Sequence, residues 1–392
     1  MKSLCGLSYV VLTFFGALNM KRVLGFLFGV LATLWMAAPA AAWTLNDSEE
    51  PGSVLVFPHF TQNLADDFAA TQFVISVVCP KGDTCVNFGT PTTINTPGAQ
   101  VVHLRGHWVC RPAVATNICA ETNFDVATTV WGSVTFTPLT TTPGPPCGEN
   151  GYLIVYAVDN SGNAIKFDGL MGTMVENENV ASFYALHALP IQAGENIPSG
   201  QPTDLNGNGQ LDFDGNEYKE ITGTIQGPIQ FDDPDTEAAT PTPLKTALTL
   251  LTLDVRSGLP NFPTALSLNF YSSDEALASV NTSFTCVNEI ELEDIPGMPT
   301  EDSPNWTPYG LVQSMSATQN GQPATVVGFV EVSRNFVPVN SAVSILLKWA
   351  YWLYNNSDPV PTTFCVNATS CPNPAPVDFP APVPPGGIII FR

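Results

Sequence analysis

Apolar side chains recur at every second position along most of this chain, and helical periodicity is scarce. Residues 72–78 (QFVISVV) and 101–110 (VVHLRGHWVC) show the alternation clearly. A period of two sends successive side chains to opposite faces and is typical of a β-strand with one buried face. On this basis we predict strands at 53–57, 72–78, 100–110, 129–136, 152–158, 180–189, 246–255, 265–270, 279–287, 324–332 and 341–354.

The segments between these strands carry turn-forming residues, as at 80–83 (PKGD), 143–146 (PGPP) and 159–162 (DNSG). With 35 Pro and 30 Gly, the chain should contain little helix, at most a turn or two at 274–278. Short strands separated by tight turns are typical of antiparallel sandwiches. We therefore predict an all-β protein, an antiparallel β-sandwich that is either one large unit or two in tandem.

The alternation is weakest at 193–243, which is rich in Gly, Asp, Pro and Thr. We interpret this region as an insertion or connection between an N-terminal sandwich domain at 43–192 and a C-terminal one at 244–371. A proline-rich tail at 372–392 ends in Ile388-Ile389-Ile390-Phe391, which we expect to dock as a final strand. Its insertion into a second copy, giving self-assembly, is the alternative.

The N-terminal segment has the features of a secretory signal peptide at 1–42. Met20-Lys21-Arg22 supplies the positive charge, 23–36 the apolar run, and Ala40-Ala41-Ala42 the small residues of a cleavage site. Met20 is an alternative start. No later stretch is apolar enough and long enough to cross a membrane. We expect a secreted protein, extracellular or at the cell surface, with the periplasm as the alternative.

The net charge narrows the choice of partners. Cleavage after Ala42 would remove three of the 13 basic residues and none of the 35 acidic ones, so the formal charge would change from −22 to −25. Such a surface repels nucleic acid and anionic membranes, so neither is an expected partner. The 44% of hydrophobic residues can still build a core.

The cysteines indicate a disulfide framework, because the segment after the signal contains an even number in an expected oxidising compartment. Close spacing favours the pairs Cys79–Cys85, Cys110–Cys119 and Cys365–Cys371, which leaves Cys147–Cys286 as the long-range bridge. Eight cysteines allow about 105 pairings, so the connectivity stays open at this stage.

Residues 204–217 (DLNGNGQLDFDGNE) have the spacing of a cation-binding loop. Oxygen-bearing side chains alternate at Asp204, Asn206 and Asn208, and Asp212 follows. Calcium prefers six to eight oxygen ligands, and a loop can supply them from alternate positions. Gly209 stands at the sixth position, where the turn is sharp. An ordinary surface turn rich in Asn, Gly and Asp is the alternative.

The loop resembles those of EF-hands, dockerins and bacterial thrombospondin-type-3-like repeats over about a dozen residues. The resemblance implies side-chain oxygens from Asp204, Asn206 and Asn208, a backbone carbonyl from Gln210 and a direct or water-mediated contact from Asp212. Those families place a closing acid at position 12, which is Gly215 here. Asp214 or Glu217 could close the shell if the loop bulges. Two neutral Asn ligands imply weak affinity, with a Kd of ~10⁻⁴–10⁻³ M.

Other candidate chemistry is weaker. His103, Arg105 and His107 alternate on one predicted strand, but the two histidines would lie about 13 Å apart there, too far to share an ion. His59 and His187 are isolated in the sequence and are interpreted as structural. The chain has neither a G-x-S-x-G nor an H-E-x-x-H motif, so no reaction is assigned.

These features favour a secreted, non-catalytic structural or adhesive protein stabilised by disulfides and calcium. One alternative is a calcium-stabilised carbohydrate-binding module that stacks sugars on the aromatic row at 349–354, although that row would also suit a buried strand. The other is a secreted glycosidase-like hydrolase, whose two carboxylates would be far apart in sequence. Expected partners are polysaccharide, other surface proteins or a second copy.

Overall fold

The structure, a computed structural model, is all-β and antiparallel. It describes residues 50–62, 71–81, 101–111, 119–147, 151–179, 182–221, 223–230, 244–253, 262–272, 277–295, 309–315, 317–336 and 345–355. Within these ranges there is no α-helix, and helical structure is limited to a 3₁₀ turn at Leu292–Asp294. The predicted all-β sandwich class, with little helix, is confirmed.

Twenty strands make up the described fold. The first half of the chain contributes β1 (Val54–Phe57), β2 (Gln72–Val77), β3 (Val101–Cys110), β4 (Ala120–Thr129), β5 (Ser133–Phe136), β6 (Gly151–Val158), β7 (Leu170–Asn179), β8 (Ser182–His187) and β9 (Leu189–Ile191). The second half contributes β10 (Ile225–Gln230), β11 (Leu244–Thr252), β12 (Thr264–Ser272), β13 (Leu277–Phe284), β14 (Val287–Glu291), β15 (Tyr309–Ser314), β16 (Thr318–Gln319), β17 (Gln322–Pro323), β18 (Val326–Phe336), β19 (Ile345–Trp352) and β20 (Tyr354–Asn355).

The strands form four sheets. Two belong to the first half, with orders β4-β3-β6-β1-β9 and β5-β2-β7-β8. The third, β14-β11-β18-β19, is called the central sheet here. The fourth has the order β17-β16-β12-β15-β10-β20, with β13 paired to β12. β19 and β20 are separated by Leu353 alone, so the chain passes there from the central sheet to the fourth sheet.

The central sheet is buried on both faces. In β11, Leu250 packs into one hydrophobic cluster and Leu251 into another. In β18, Val330 joins the cluster of Leu250, while Phe329 joins the cluster of Leu251. Strict alternation along a strand explains the division, because neighbouring side chains point to opposite faces. We call the cluster that contains Phe329 the first core and the cluster that contains Val330 the second core.

The first core joins the two halves of the chain. Aromatic rings from the first half fill much of it, with Phe57 and Trp108 each packed edge-on against Phe73 at centroid distances of 5.0 and 5.5 Å. Phe329 and Trp352 of the central sheet belong to the same cluster. The described residues from Glu50 to Asn355 fall within one compact unit. The domain boundaries at 192 and 243 remain predictions, and the apolar core extends across them.

The strand predictions differ from the structure where the alternation is interrupted or weak. Residues 129–136 were predicted as one strand but contain a turn, in which Trp131 adopts a positive φ of 66°. The short helix predicted at 274–278 is wrong at its C-terminal end, because Leu277 already belongs to β13. The longer strands that the alternation did not predict are β7, β10 and β15, together with β4 except Thr129 and β14 except Val287. β7 ends in the polar run ENEN, and β10 contains Gly227 and Pro228.

The cysteine pairing differs from the pairing that close spacing favoured. Cys110 bonds to Cys147, with Cα atoms 6.1 Å apart, and Cys119 bonds to Cys286, with Cα atoms 6.0 Å apart. Cys110 lies at the end of β3, and Cys119 immediately precedes β4. Their hairpin is held by main-chain pairing of Cys110 with Ala120, which leaves each sulfur directed to another element.

Several predictions concern residues outside the described ranges. These are the signal peptide at 1–42, the tail at 372–392, and Cys85, Cys365 and Cys371. Cys79 is disulfide-bonded. Among the described residues, no helix has the length and apolar character needed to cross a membrane.

The two described disulfides should differ in their effect on stability. In the chain-entropy treatment, the 167-residue separation of Cys119 and Cys286 gives about 5 kcal/mol, and the 37-residue separation of Cys110 and Cys147 gives about 4 kcal/mol. Urea denaturation should therefore show a larger loss for the Cys119→Ala/Cys286→Ala double variant. Peptide mapping without reduction should recover these two pairs. A Cys110–Cys119 linked peptide would contradict the structure.

Candidate functional site

The 204–217 loop, called the cation loop here, is anchored to the first core by two aromatic residues. Phe213 and Tyr218 are buried, and their rings lie 5.5 Å apart. The Tyr218 hydroxyl shares a 2.7 Å hydrogen bond with the Thr203 hydroxyl. A backbone bridge joins Ala193 to Tyr218. Both ends of the loop are thus fixed on a rigid surface, while its tip is exposed.

Asp204 organises the first turn of the cation loop. Its carboxylate accepts backbone N–H hydrogen bonds from Gly207, Asn208 and Gly209 at 2.7, 3.1 and 2.9 Å. Gly207 and Gly209 have positive φ angles of 73° and 75°, a conformation that glycine adopts without steric cost. The sequence TDLNGNGQ therefore folds tightly because glycine stands at both positions where the backbone reverses.

Asn206, Asn208 and Asp212 lie together inside this turn. The amide nitrogens of the two asparagines donate to Asp212 Oδ2 at 2.6 and 3.1 Å. Asn206 Oδ1 accepts from Asn208 N–H, and Asn208 Oδ1 accepts from Gln210 N–H. The structure thus brings together the side chains that the spacing singled out, and two amide dipoles face the Asp212 carboxylate.

Glu217, and not Asp214, folds back onto the start of the loop. Glu217 Oε1 accepts the backbone N–H groups of Leu205 and Asn206 at 2.7 and 3.2 Å. Asp214 instead accepts N–H groups from Asn216 and Glu217 and so caps its own turn. Gly215, with a φ of 87°, allows the extra residues to bulge. The loop therefore closes at its fourteenth position.

The second carboxylate oxygen of Glu217 is unpartnered. Glu217 is 2% exposed, and its Oε2 is buried without a hydrogen-bond partner. Burial raises the pKa of Glu217, and the negative charges of Asp212 and Asp204 raise it further. The hydrogen bonds from the backbone of Leu205 and Asn206 lower it, but by less. An ionised Glu217 is thus disfavoured in a site that has no positive charge of its own.

The cation loop has the donor set of a hard-cation site. Carboxylates come from Asp204, Asp212 and Glu217, and amide oxygens from two asparagines. Its acids are not yet gathered as closely as metal ligands are. Such a close group, with all ligand atoms within 4.8 Å of one another, occurs elsewhere among the described residues, at His59, Glu176 and Glu331. The loop acids are more widely spaced. Binding would therefore draw them inward and turn amide oxygens toward the ion.

The group at His59, Glu176 and Glu331 is a feature that sequence reasoning missed. His59 follows β1, Glu176 lies on β7 and Glu331 lies on β18, so no local spacing connects them. His59 was interpreted as isolated and structural. The only available signal was the position of Glu331, a charged residue within the otherwise apolar run of β18 that opposes Ala247 and Ala350 in the neighbouring strands.

The two histidines of β3 do not share a site. His103, Arg105 and His107 share one half-buried face. His107 Nε2 lies 2.8 Å from Glu121, and Arg105 donates to Asp125 at 3.0 Å and to the Gly162 carbonyl. The hydrogen bond with Asp125 raises the pKa of Arg105. Arg105 and His107 therefore each face an acid on β4, whereas His103 Nε2 is buried without a hydrogen-bond partner.

The aromatic row at 349–354 is built into the fold at Trp352. This residue is 6% exposed, packs edge-on against Phe329 at 5.5 Å and donates its indole N–H to the His187 carbonyl at 3.0 Å. Its ring is therefore not available to stack on a sugar in this arrangement.

Comparisons with known proteins assign no family or function, because no family model and no curated protein sequence matches the chain.

The raised pKa of Glu217 predicts a pH dependence in calcium-free protein. A carboxyl whose folded pKa is raised contributes stability below its ordinary value of 4.5, and this contribution is lost as the pH rises through the raised value. The unfolding free energy of wild type minus that of Glu217→Gln should therefore fall as the pH rises above 4.5. Urea denaturation in EGTA measures it. A difference that is flat or rises with pH would refute the assignment.

Proposed function

We propose that this chain is an exported, non-catalytic protein of the extracellular space or cell surface, with a structural or adhesive role. The disulfide between Cys119 and Cys286 is the observation that carries the proposal. Such bonds persist in oxidising compartments and are rare in the cytosol. The bridge joins the residue before β4, in the first half, to the β13–β14 turn of the second half, so it links the two halves covalently.

Calcium is the proposed stabilising ion, bound in the cation loop. The buried and unpartnered Glu217 Oε2 supports this choice, because an uncompensated buried carboxylate oxygen is costly unless a cation or donor meets it. The oxygen-only donor set favours calcium over transition metals. Extracellular calcium-binding modules work at ~10⁻⁴–10⁻³ M, which is the affinity we propose for this loop.

A structural role also fits the described surface. A depression of about 130 Å³ is lined by β2, β7 and β8 residues that include Val74, Met171 and His187. It is well below the roughly 300–1,000 Å³ of small-molecule sites. The formal charge of −22 opposes binding to nucleic acid and anionic membranes. The proposed partners are neutral polysaccharide, other surface proteins or a second copy of the chain bridged by calcium.

Calcium should stabilise the protein through Glu217. At 10 mM calcium and a Kd of about 0.3 mM, the gain in unfolding free energy is about 2 kcal/mol. Denaturation with calcium and with EGTA should show this gain in wild type and in the matched control Glu220→Gln, an exposed acid just outside the loop. Glu217→Gln should lose most of the gain. Equal gains in unfolding free energy with calcium in all three proteins would refute the assignment of the site to Glu217.

The cellular role can be tested with the full chain. A tagged copy in its own host should appear outside the cytoplasm, with Cys119 and Cys286 protected from maleimide until reduction. Beads coated with the purified protein should cluster or attach to cells in calcium, release in EGTA, and fail with Glu217→Gln. Recovery of reduced chain from the cytosol would overturn the proposal. Turnover of a polysaccharide panel would instead favour the hydrolase.

A further inference from the structure

We propose that His59, Glu176 and Glu331 form a second metal site, which takes a divalent transition ion of the zinc class. His59 Nε2 lies 3.4 Å from Glu176 Oε2 and 3.5 Å from Glu331 Oε2. The ligand atoms of all three side chains lie within 4.8 Å of one another. The site is distinct from the cation loop in its residues, its elements and its ligand chemistry.

The separations suit a bridging ion better than direct hydrogen bonds. An N–H···O hydrogen bond usually spans about 2.7–3.2 Å, and both His59 distances exceed this range. Two ligand atoms that each lie about 2.0–2.1 Å from a tetrahedral zinc ion are about 3.3–3.4 Å apart. The observed distances of 3.4 and 3.5 Å are therefore close to the edges of a zinc tetrahedron.

Glu176 supplies an independent indication of a ligand. Its side chain is 1% exposed, and its Oε2, the oxygen that faces His59, is buried without a hydrogen-bond partner. Its other oxygen accepts a hydrogen bond from the Thr61 hydroxyl at 3.3 Å. Second-sphere bonds of this type orient metal-binding carboxylates. One carboxylate oxygen thus contacts Thr61, and the other is directed into the cluster.

The fold determines why the three side chains meet. Glu331 lies two residues after Phe329 on β18, so both point from the same face of the central sheet toward the first core. The His59 ring packs against Phe329 at a centroid distance of 5.8 Å. Small residues, Ala247 and Ala350, oppose Glu331 on both neighbouring strands, which leaves room for its carboxylate.

Ligand type selects the ion. An imidazole nitrogen suits zinc and its neighbours in the first transition row, whereas calcium and magnesium prefer oxygen alone. The side chains of His59 and Glu331 are 20% and 19% exposed, so solvent reaches the site on that side. Three protein ligands leave the fourth position of a tetrahedral ion for water or for a donor atom of another molecule.

Binding should connect three sheets. His59 follows a strand of the β4-β3-β6-β1-β9 sheet, Glu176 belongs to the β5-β2-β7-β8 sheet, and Glu331 belongs to the central sheet. An ion held by all three would cross-link the two halves of the chain through residues other than Cys119 and Cys286. Zinc would neutralise two carboxylates that lie close together at the margin of an apolar core.

The test uses full-length protein stripped with chelator, desalted and titrated with zinc alone. Elemental analysis should find one zinc per chain at this site, and cobalt in its place should give the visible absorption of a four-coordinate ion. His59→Ala and Glu331→Gln should each weaken zinc binding by at least about tenfold. Glu331→Gln is isosteric and partly exposed, so it keeps the test valid if His59→Ala does not fold.

Matched controls separate this site from other acids and histidines. His187→Gln and Glu289→Gln change exposed side chains and should bind zinc as wild type does, as should Glu217→Gln in the cation loop. Calcium stabilisation should persist in Glu331→Gln. Absence of zinc binding would overturn the proposal. Equal zinc affinity in wild type, His59→Ala and Glu331→Gln would also overturn it.

Discussion

Burial of both faces of the central sheet is the interaction that the described fold depends on. Side chains of β11 and β18 alternate between the two cores, so a single layer of backbone supports apolar packing on either side. Each fully buried Leu, Val or Phe contributes about 1.5–3 kcal/mol. The first core contains rings from both halves, among them Trp108 and Phe329, so one face of the central sheet is covered by the first half of the chain.

The sequence predicted the features that depend on neighbouring residues and missed those that depend on tertiary packing. Alternation identified strands such as β3, β6 and β11, because a period of two depends only on neighbouring residues. It missed β7, whose C-terminal residues are polar, and most of β4. It also placed a single strand at 129–136, across the turn at Trp131. The pairing of Cys119 with Cys286 depends on which sheets pack together, and spacing along the chain contains no such information.

The two candidate ion sites differ in the same way, because only one of them is formed by residues close together in the sequence. The cation loop was visible in the sequence because Asp204, Asn206, Asn208 and Asp212 alternate locally, although the sequence alone did not decide between Asp214 and Glu217 as the closing acid. The site at His59, Glu176 and Glu331 was invisible, since tertiary packing alone brings its ligands together. Both sites contain a carboxylate oxygen that is buried and unpartnered, the kind of feature that only a three-dimensional description can reveal.

The bridge between Cys119 and Cys286 has a mechanical consequence. When tension is applied at the ends of the chain, the covalent path runs through the two sulfurs and bypasses the 167-residue separation between them. At about 3.4 Å per extended residue, roughly 570 Å of contour length stays hidden from the pull. Strands β4 to β13 are consequently shielded from stretching while this disulfide is intact.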